Sequence, residues 1–310
     1  MDSPAARHRS PDYGGKLGHA IFHAVIRWLG VTPAYLLLAF IVPYYVLLRP
    51  RVRRSAAPYL SRRFPGQGPA RRLLTTFLYL YRFGQVLIDQ GVIGILGRER
   101  LRVDFPEERT LYELAREGRG LVLLTTHAGN WRAAMATMNR LDVAVNFQFQ
   151  LEPHMAGRHF FDLAGEQHRF KIISPTGFLG GVIEMTHALK NGECVAVMGD
   201  RAFGAQTRRT SFLGEDAAFP VIPYQLALST GAELVVLLTV RTGKLRCRIE
   251  MTRLTGQDDG AAMGREAAIG ALQRRYVACL EGYLQKYPFM WLNFFDIWKG
   301  TPKTDSAEKP

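Results

Sequence analysis

The sequence predicts an α/β fold, a mixed and mostly parallel sheet flanked by helices, with an N-terminal membrane-associated helical segment. After residue 110, short apolar runs rich in β-branched residues alternate with stretches of helical periodicity, the pattern of strands covered by helices. The stretch Gly120–Met135 joins one such strand to a helix through a polar clip. Ahead of it, Val31–Leu48 is an eighteen-residue run without a charge, close to the lower length limit for crossing a bilayer.

The uncharged run Val31–Leu48 divides the chain. We expect residues 1–70 to form a membrane anchor and a basic juxtamembrane segment, residues 71–300 to form the α/β domain, and residues 301–310 to form a polar tail. Two prolines interrupt the run, so both a spanning helix and a half-inserted helix fit the pattern. A buried core helix is the alternative.

The charge pattern favours the membrane. The formal net charge of +13 indicates an anionic partner, such as a nucleic acid, an acidic substrate or a membrane surface. No Asp or Glu occurs between Tyr13 and Ile88, whereas that span is rich in arginine. Each Lys or Arg beside an anchor adds about 1 kcal/mol of attraction to anionic lipid. The sequence carries no nucleic-acid recognition motif, so we expect an anionic membrane surface as the partner and no nucleic acid.

Helices and strands alternate along the proposed domain. The predicted helices are Arg71–Gly97 (in two pieces), Leu111–Glu117, a helix from Trp131, His154–Gln167, Leu179–Lys190, Pro220–Thr230 and Gly264–Lys286. The predicted strands are Leu121–Thr126, Val143–Gln150, Phe170–Ile173, Cys194–Met198, Leu234–Val240 and an edge strand, Lys244–Met251. The aromatic run Pro288–Trp298 is expected to close the body, with Trp291 and Asn293 packing at the edge of the core.

The cysteines indicate a reducing compartment. Cys194, Cys247 and Cys279 are far apart in the chain and lie in apolar surroundings. This pattern is typical of buried thiols, and it gives neither a disulfide framework nor the ligand spacing of a zinc site. We therefore expect no bound metal.

The polar clip between strand and helix is the first candidate site. The strand Leu121–Thr126 ends at His127, and a helix begins near Trp131. In open α/β sheets, ligands bind at the carboxyl ends of the strands. Gly129 permits a tight turn or a close backbone approach, and Asn130 is a favourable helix N-cap. His127 is therefore a candidate for catalysis, with a purely structural histidine as the alternative.

Three blocks of sequence resemble, in order, the membrane lysophospholipid acyltransferase superfamily, and within it the bacterial lipid A late (lauroyl/myristoyl) acyltransferases. The blocks are LLTTHAGNWRAAM at residues 123–135, FKIISPTGFLGGVIEMTHALKNGECVAVMGDRAFG at residues 170–204 and FLGEDAAFPVIPYQLALSTGAELV at residues 212–235. The resemblance extends over about Leu17–Trp298. Each block alone is weak, and their order and spacing together are specific.

The resemblance implies a membrane-bound acyltransferase. Such an enzyme moves a fatty acyl chain from a thioester on acyl carrier protein or coenzyme A to a lipid or glycolipid acceptor, as in lipid A biosynthesis, and needs no other cofactor. The resemblance also implies a place on the bacterial inner membrane, with the catalytic body on the cytoplasmic side. A catalytically silent relative that binds lipid or acyl carrier protein in a lipid-assembly system is the alternative.

The catalytic motif of the resembling family is a histidine followed five residues later by Asp or Glu. The match assigns the role of general base to His127, but the fifth residue after it is Arg132, which cannot accept the imidazole proton. Asp200 follows the strand Cys194–Met198 and is the candidate for a substitute acid, because a parallel neighbouring strand would bring it to the same sheet edge. A turn aspartate that caps local backbone is the alternative.

Further residues are candidates for holding a phosphate or head group of the substrates. Three of them, the arginines that follow Asp200, lie on a predicted polar loop. An arginine guanidinium suits a phosphate, and a solvated charged loop is the alternative. The substrate-binding candidates are Gly129, Asn130, Arg132, Arg201, Arg208 and Arg209.

Overall fold

The computed structural model describes residues 15–131, 135, 138, 141–149, 170–175, 178–201, 206–256 and 264–299. The α-helices within these ranges are α1 (Gly15–Ala24), α2 (Val31–Leu48), α3 (Pro50–Arg63), α4 (Pro69–Leu96), α5 (Glu108–Arg116), α6 (Val182–Lys190), α7 (Ile222–Thr230) and α8 (Arg265–Lys286), and a π-helical turn, Val25–Leu29, joins α1 to α2. The strands are β1 (Arg102–Asp104), β2 (Leu121–Thr125), β3 (Val145–Gln148), β4 (Phe170–Ile173), β5 (Cys194–Met198), β6 (Thr207–Phe212), β7 (Glu215–Pro220), β8 (Glu233–Gly243) and β9 (Arg246–Arg253).

Within the described residues, seven strands form one sheet in the order β1-β9-β8-β2-β5-β3-β4. β2 lies between β8 and β5 and is parallel to both, with Leu121 opposite Glu233 on one side and Cys194 on the other. β9 is antiparallel to β8, and the other neighbouring pairs are parallel. The predicted fold class, a mixed and mostly parallel sheet flanked by helices, is confirmed.

The side chains of β2 enter two hydrophobic cores, because successive residues of a strand point to opposite faces of the sheet. Val122 and Leu124 belong to the core that also contains residues of α2, α4, α7 and α8. Leu121 and Leu123 belong to the second core, with residues of α5 and with Trp131. β2 is therefore packed on both faces, which fixes the position of the chain where the strand ends.

The stretch after Asp200, predicted to be a polar loop, contains an antiparallel hairpin of β6 and β7. β6 reads as polar because its sequence, TRRTSF, contains one large apolar residue. The helix predicted to begin at Pro220 begins at Ile222 instead, since Pro220 is the last residue of β7.

The predicted edge strand, Lys244–Met251, corresponds to β9, and its edge position is wrong. β1 pairs with β9 on the outer side, with Arg102 opposite Arg246, so β9 is an inner strand. β1 has three residues, too few for an alternating pattern to reveal it in the sequence.

The helix predicted in two pieces over Arg71–Gly97 is the single helix α4, which has 28 residues. Glycine lowers helix propensity, but here its small size admits neighbouring helices. A side chain at Gly84 would collide with Leu38 of α2, and one at Gly91 would contact Ile26. Tertiary packing therefore outweighs local propensity. The predicted helix His154–Gln167 lies outside the described residues, as does most of the helix predicted from Trp131.

α2 packs lengthwise against α4 through one of its faces. The buried residues of α2 recur every fourth position and form a single stripe: Ala34, Leu38, Val42 and Val46. On the opposite face, Leu36 is 63% exposed and Phe40 is 78% exposed. Among the described helices, α2 is the one with the length and composition to cross a membrane, and one side of it belongs to the core of the body.

A buried ion pair fastens α2 and α4 to the sheet. Arg241 Nε, on β8, lies 2.7 Å from Asp89 Oδ2, on α4, and the two side chains are 6% and 2% exposed. Tyr35, on α2, donates its hydroxyl proton to Asp89 Oδ1, and the Arg241 guanidinium lies over the Tyr35 ring. Because buried charges are tolerated only when they are paired, these three residues fix α2 against the body.

The three cysteines are free thiols, with Cys194 and Cys247 buried and Cys279 half-buried. Burial raises the pKa of Cys194 and of Cys247 to about 12. Thiols that stay protonated at neutral pH are poor nucleophiles, so these two residues act as small apolar side chains of the core.

We expect Asp89→Leu to lower the free energy of unfolding by about 3 kcal/mol or more, because it leaves Arg241 buried without its partner. The double variant Asp89→Leu/Arg241→Met should cost less than this single variant, since no charge is then stranded. Denaturant unfolding followed by circular dichroism measures both. Glu113→Gln, which breaks the exposed Arg109–Glu113 pair, is the control and should change little. A double variant less stable than Asp89→Leu would contradict the argument.

Candidate functional site

His127 lies at the carboxyl edge of the sheet, two residues after β2 ends at Thr125. The register of β2 and β5 places Thr125 opposite Met198, and Gly199 N donates to Thr125 O at 2.8 Å. The parallel pairing thus continues past the ends of both strands. Asp200 is therefore brought beside His127, as the sequence predicts for neighbouring parallel strands.

The side chains of His127 and Asp200 form a direct pair. His127 Nδ1 lies 2.8 Å from Asp200 Oδ1, and the backbone N–H of His127 donates to Asp200 Oδ2 at 3.0 Å. An ionised carboxylate only accepts hydrogen bonds, so the network assigns a proton to Nδ1 and the lone pair of the neutral imidazole to Nε2. The Asp200 side chain is fully buried, whereas 18% of the His127 side chain is exposed.

The electrostatic environment keeps Asp200 ionised. Burial by itself raises the pKa of this carboxyl group, but His127, through its charge and its hydrogen bonds, and the neighbouring Arg201 guanidinium lower it by more. The pKa of Asp200 therefore lies below its ordinary value. An ionised carboxylate on Nδ1 of an imidazole is the arrangement that orients a histidine base and stabilises its protonated form.

The segment after α8 folds back over the His127 loop. Ala128 and Trp291 form an antiparallel bridge. Leu292 N donates to His127 O, and Gly129 N donates to Met290 O, each at 2.7 Å. These contacts give the loop two-sided backbone support, so His127 is held from β2 and from the C-terminal segment.

Trp291 and Asn293 have a role that the sequence did not predict. Both are fully buried or nearly so, which agrees with the expected packing at the core edge. In addition, Trp291 Nε1 donates to Asp200 Oδ2 at 2.8 Å, and Asn293 Nδ2 donates to Asp200 O at 3.4 Å. The signal available in the sequence is that two hydrogen-bonding side chains, Trp291 and Asn293, lie within an otherwise apolar aromatic run.

Gly129 and Asn130 serve the geometry of the loop. Gly129 has a φ of +51°, and a Cβ atom there would collide with the carbonyl oxygen of Thr239 on β8. Asn130 is buried, and its Oδ1 accepts a hydrogen bond from Gln90 Nε2 of α4 at 3.3 Å. The loop therefore packs between α4 and β8, in contact with both.

The predicted arginines do not form one cluster. Arg201 lies next to the pair, and its Nε donates to Asn293 Oδ1 at 3.1 Å. Arg208 Nη1 donates to the Glu266 carbonyl at 2.9 Å, and Arg209 binds the carbonyls of Asp216 and Trp298.

Arg208 and Arg209 are consecutive on β6 and so point to opposite faces of the hairpin. Arg201 is thus the arginine that the structure brings to the site. Arg132 lies outside the described residues.

A shallow apolar depression lies near His127. It is bounded by the ends of β2, β5 and β3 and by Trp131, whose ring centroid is 6.3 Å from that of His127. Its lining includes Trp131, Met135, Phe147, Phe149 and Met198. In the part of the chain that the structure describes, no group of three His, Cys, Asp or Glu side chains could hold a metal ion.

We expect Gly129→Ala to lower the free energy of unfolding by about 2 kcal/mol or more, because a methyl group meets both positive φ and the Thr239 carbonyl. Gly231→Ala is the matched control. Its φ is +73°, but nothing lies within 4 Å of the added carbon, so it should cost about 1 kcal/mol. Equal losses in denaturant unfolding would show that the loop yields to the added methyl group.

Comparison with known proteins places the chain in a family. The chain matches the family model for bacterial lipid A biosynthesis acyltransferase over residues 4–299. It is also 30% identical over 120 residues to phosphatidylinositol mannoside acyltransferase of Mycobacterium tuberculosis, from both the ATCC 25618 / H37Rv and the CDC 1551 / Oshkosh strains.

The similarity to these relatives spans 38% of this chain and 38% of each relative's length. Both descriptions are of acyltransferases. Because the family model covers nearly all of the sequence, the chain belongs to the bacterial lipid A biosynthesis acyltransferase family.

Proposed function

We propose that this protein is a membrane-associated acyltransferase that moves a fatty acyl chain from a thioester donor, acyl carrier protein or coenzyme A, to a lipid or glycolipid acceptor. The observation that carries the proposal is the hydrogen-bonded pair of His127 and buried Asp200 at the carboxyl edge of the sheet. No other cofactor is needed for this chemistry.

The reaction uses His127 as a general base. Its Nε2 takes the proton of an acceptor hydroxyl while that oxygen attacks the thioester carbonyl carbon. The tetrahedral intermediate collapses, the carbon–sulfur bond breaks, and the imidazolium returns the proton to the departing thiolate. Asp200 orients the imidazole through Nδ1 and stabilises the imidazolium, so it is the substitute for the acid that Arg132 replaces.

The surroundings of the pair fit the two ends of an acyl donor. The shallow apolar depression lined by Trp131, Phe147 and Phe149 offers a surface for part of an acyl chain, since contact with it removes methylene groups from water. The Arg201 guanidinium suits a phosphate of the donor or acceptor, and we propose it, with Arg132, for that role. Gly129 and Asn130 would shape the substrate loop.

The acceptor class follows from the relatives. The family description names lipid A biosynthesis, and the mycobacterial relatives act on phosphatidylinositol mannoside by name. Both acceptors are glycolipids, so a glycolipid acceptor is the most direct proposal for this chain. We also propose a place at the bacterial inner membrane with the body on the cytoplasmic side, and the family's part in lipid biosynthesis supports the membrane.

The exposed face of α2 and α4 supports membrane attachment. The two helices run antiparallel, because Leu38 contacts Gly84 while Tyr35 contacts Asp89. Both helices expose apolar residues to solvent, and we propose that these form one apolar strip: Leu36, Phe40, Tyr44, Leu47, Leu48, Leu74, Leu78 and Leu87. Exposed arginines stand at one end of that strip, at Arg49, Arg51, Arg54, Arg71 and Arg72. We propose that the strip lies in one leaflet of an anionic membrane.

A catalytically silent relative is the second candidate, and Arg132 is the observation that favours it. An arginine replaces the acid of the family's usual motif. In that case the protein would bind lipid or acyl carrier protein without transferring an acyl group. The His127–Asp200 pair argues for the enzyme, because a carboxylate on Nδ1 is the arrangement that orients a histidine base.

We expect His127→Ala to lower acyl transfer by about a thousandfold and Asp200→Asn by about a hundredfold or more, because the first removes the base and the second its orientation. The measurement uses purified protein in detergent, labelled acyl carrier protein or acyl-coenzyme A, and a bacterial lipid extract.

His187→Ala and Asp142→Asn, which change a histidine and an aspartate away from the pair, serve as controls and should keep full activity. Undiminished transfer by His127→Ala would end the assignment. A wild type that binds the donor but never transfers would establish the silent relative.

We expect Phe40→Asp to weaken binding to anionic vesicles by about tenfold, because it places a charge in the apolar strip. Ile183→Asp changes an exposed apolar residue on α6, away from the strip, and should bind like wild type. Vesicle co-sedimentation measures both. Complete release of the wild type by high salt alone would show that the attachment is only electrostatic.

A further inference from the structure

We propose that Trp291 is a positioning residue for the His127–Asp200 pair: its indole N–H holds one carboxylate oxygen of Asp200 so that the other faces the imidazole. The inference rests on the proposed function and adds a component that the family's two-residue motif lacks. It assigns to a buried tryptophan, 164 residues after the base in the chain, part of the geometry of general-base catalysis.

The two oxygens of Asp200 have separate partners. Oδ2 accepts from Trp291 Nε1 at 2.8 Å and from the His127 backbone N–H at 3.0 Å. Oδ1 lies 2.8 Å from His127 Nδ1. Three contacts from two directions fix the rotation of the carboxylate about its Cβ–Cγ bond. The imidazole therefore meets a single acceptor in a single orientation.

The indole of Trp291 is held rigidly. The residue is fully buried, and its ring packs edge-on against Tyr59 and Phe212, with ring centroids 5.0 and 5.3 Å away. Tyr79 donates its hydroxyl proton to the Trp291 carbonyl at 2.7 Å. An indole has one hydrogen-bond donor and no acceptor. Its bond to the Asp200 carboxylate therefore satisfies the whole hydrogen-bonding capacity of the buried side chain.

The same segment holds the backbone of the base. Ala128 bridges to Trp291, and His127 O accepts from Leu292 N at 2.7 Å. One stretch of chain therefore fixes both the loop that carries the imidazole and the carboxylate that orients it. A tryptophan that only filled space would not need its Nε1 at 2.8 Å from the charged oxygen.

The test compares two buried tryptophans of one aromatic cluster. Trp298 packs against Trp291, and its Nε1 donates to the Phe212 carbonyl at 3.2 Å instead of to Asp200. Trp291→Phe and Trp298→Phe thus remove the same atoms and one hydrogen bond each. We expect Trp291→Phe to lower kcat on the order of tenfold with little change in KM, and Trp298→Phe to keep kcat. Equal losses would overturn the proposal.

The second measurement asks whether Trp291 acts through Asp200. In the Asp200→Asn background, Trp291→Phe should lower kcat by less than about twofold, because residues that act as a unit are not additive. A full additional loss there would overturn the positioning role. If Trp291→Phe does not fold, a benzothienylalanine side chain at position 291 keeps the ring shape and removes only the N–H, and the same comparison is made with it.

A third readout does not depend on acyl transfer. Diethyl pyrocarbonate modifies neutral imidazole, and mass spectrometry of the peptide containing His127 gives its rate. Because an imidazole that is no longer held in one orientation differs in exposure and basicity, we expect Trp291→Phe to change this rate several-fold and Trp298→Phe to leave it unchanged. If the wild type transfers no acyl group, the proposed function fails, and this rate still decides the positioning of His127: equal rates in wild type and Trp291→Phe would overturn it.

Discussion

The buried carboxylate of Asp200 is the constraint on which the rest of the structure depends. A charge removed from water is tolerated only where donors and cations surround it. β5 must therefore end beside β2, so that the His127 loop can donate to it. The C-terminal segment must fold back so that Trp291 reaches the second oxygen, and Arg201 must stay close. A surface aspartate would have required none of this.

α4 connects the N-terminal helices to the site. Along its length it contacts Leu38 and Tyr35 of α2 through Gly84 and Asp89. One residue beyond Asp89, Gln90 reaches the loop and binds Asn130. α4 therefore packs against α2 on one side and contacts the His127 loop on the other, although its sequence shows only an apolar stretch. This double use explains why it is continuous, although two glycines weaken it near its end.

The sequence predicts those features that depend on local pattern and on strand order. Alternating strands and helices predict the fold class, and two strand ends predict that His127 and Asp200 meet. The bond from Trp291 could not be foreseen, because it requires knowing which element returns to the sheet edge.

The arginines illustrate the same limit. The sequence predicts Arg208 and Arg209 on the same polar loop as Arg201, but the two lie on a hairpin strand, where consecutive side chains point to opposite faces. The polar sequence of β6 conceals that hairpin, since strand recognition depends on apolar alternation.

The ion pair between Asp89 and Arg241, with Tyr35 bound to it, fixes the orientation of α2 relative to the body. A flexibly linked helix would leave the orientation of the body free. Here α2 cannot separate from the body without disrupting a buried ion pair. Arg241 stands two residues beyond Thr239, whose carbonyl confines Gly129. Any tilt of α2 is therefore transmitted to the strand that bounds the His127 loop, and the height and angle of the loop above the exposed face of α2 are fixed by the fold itself.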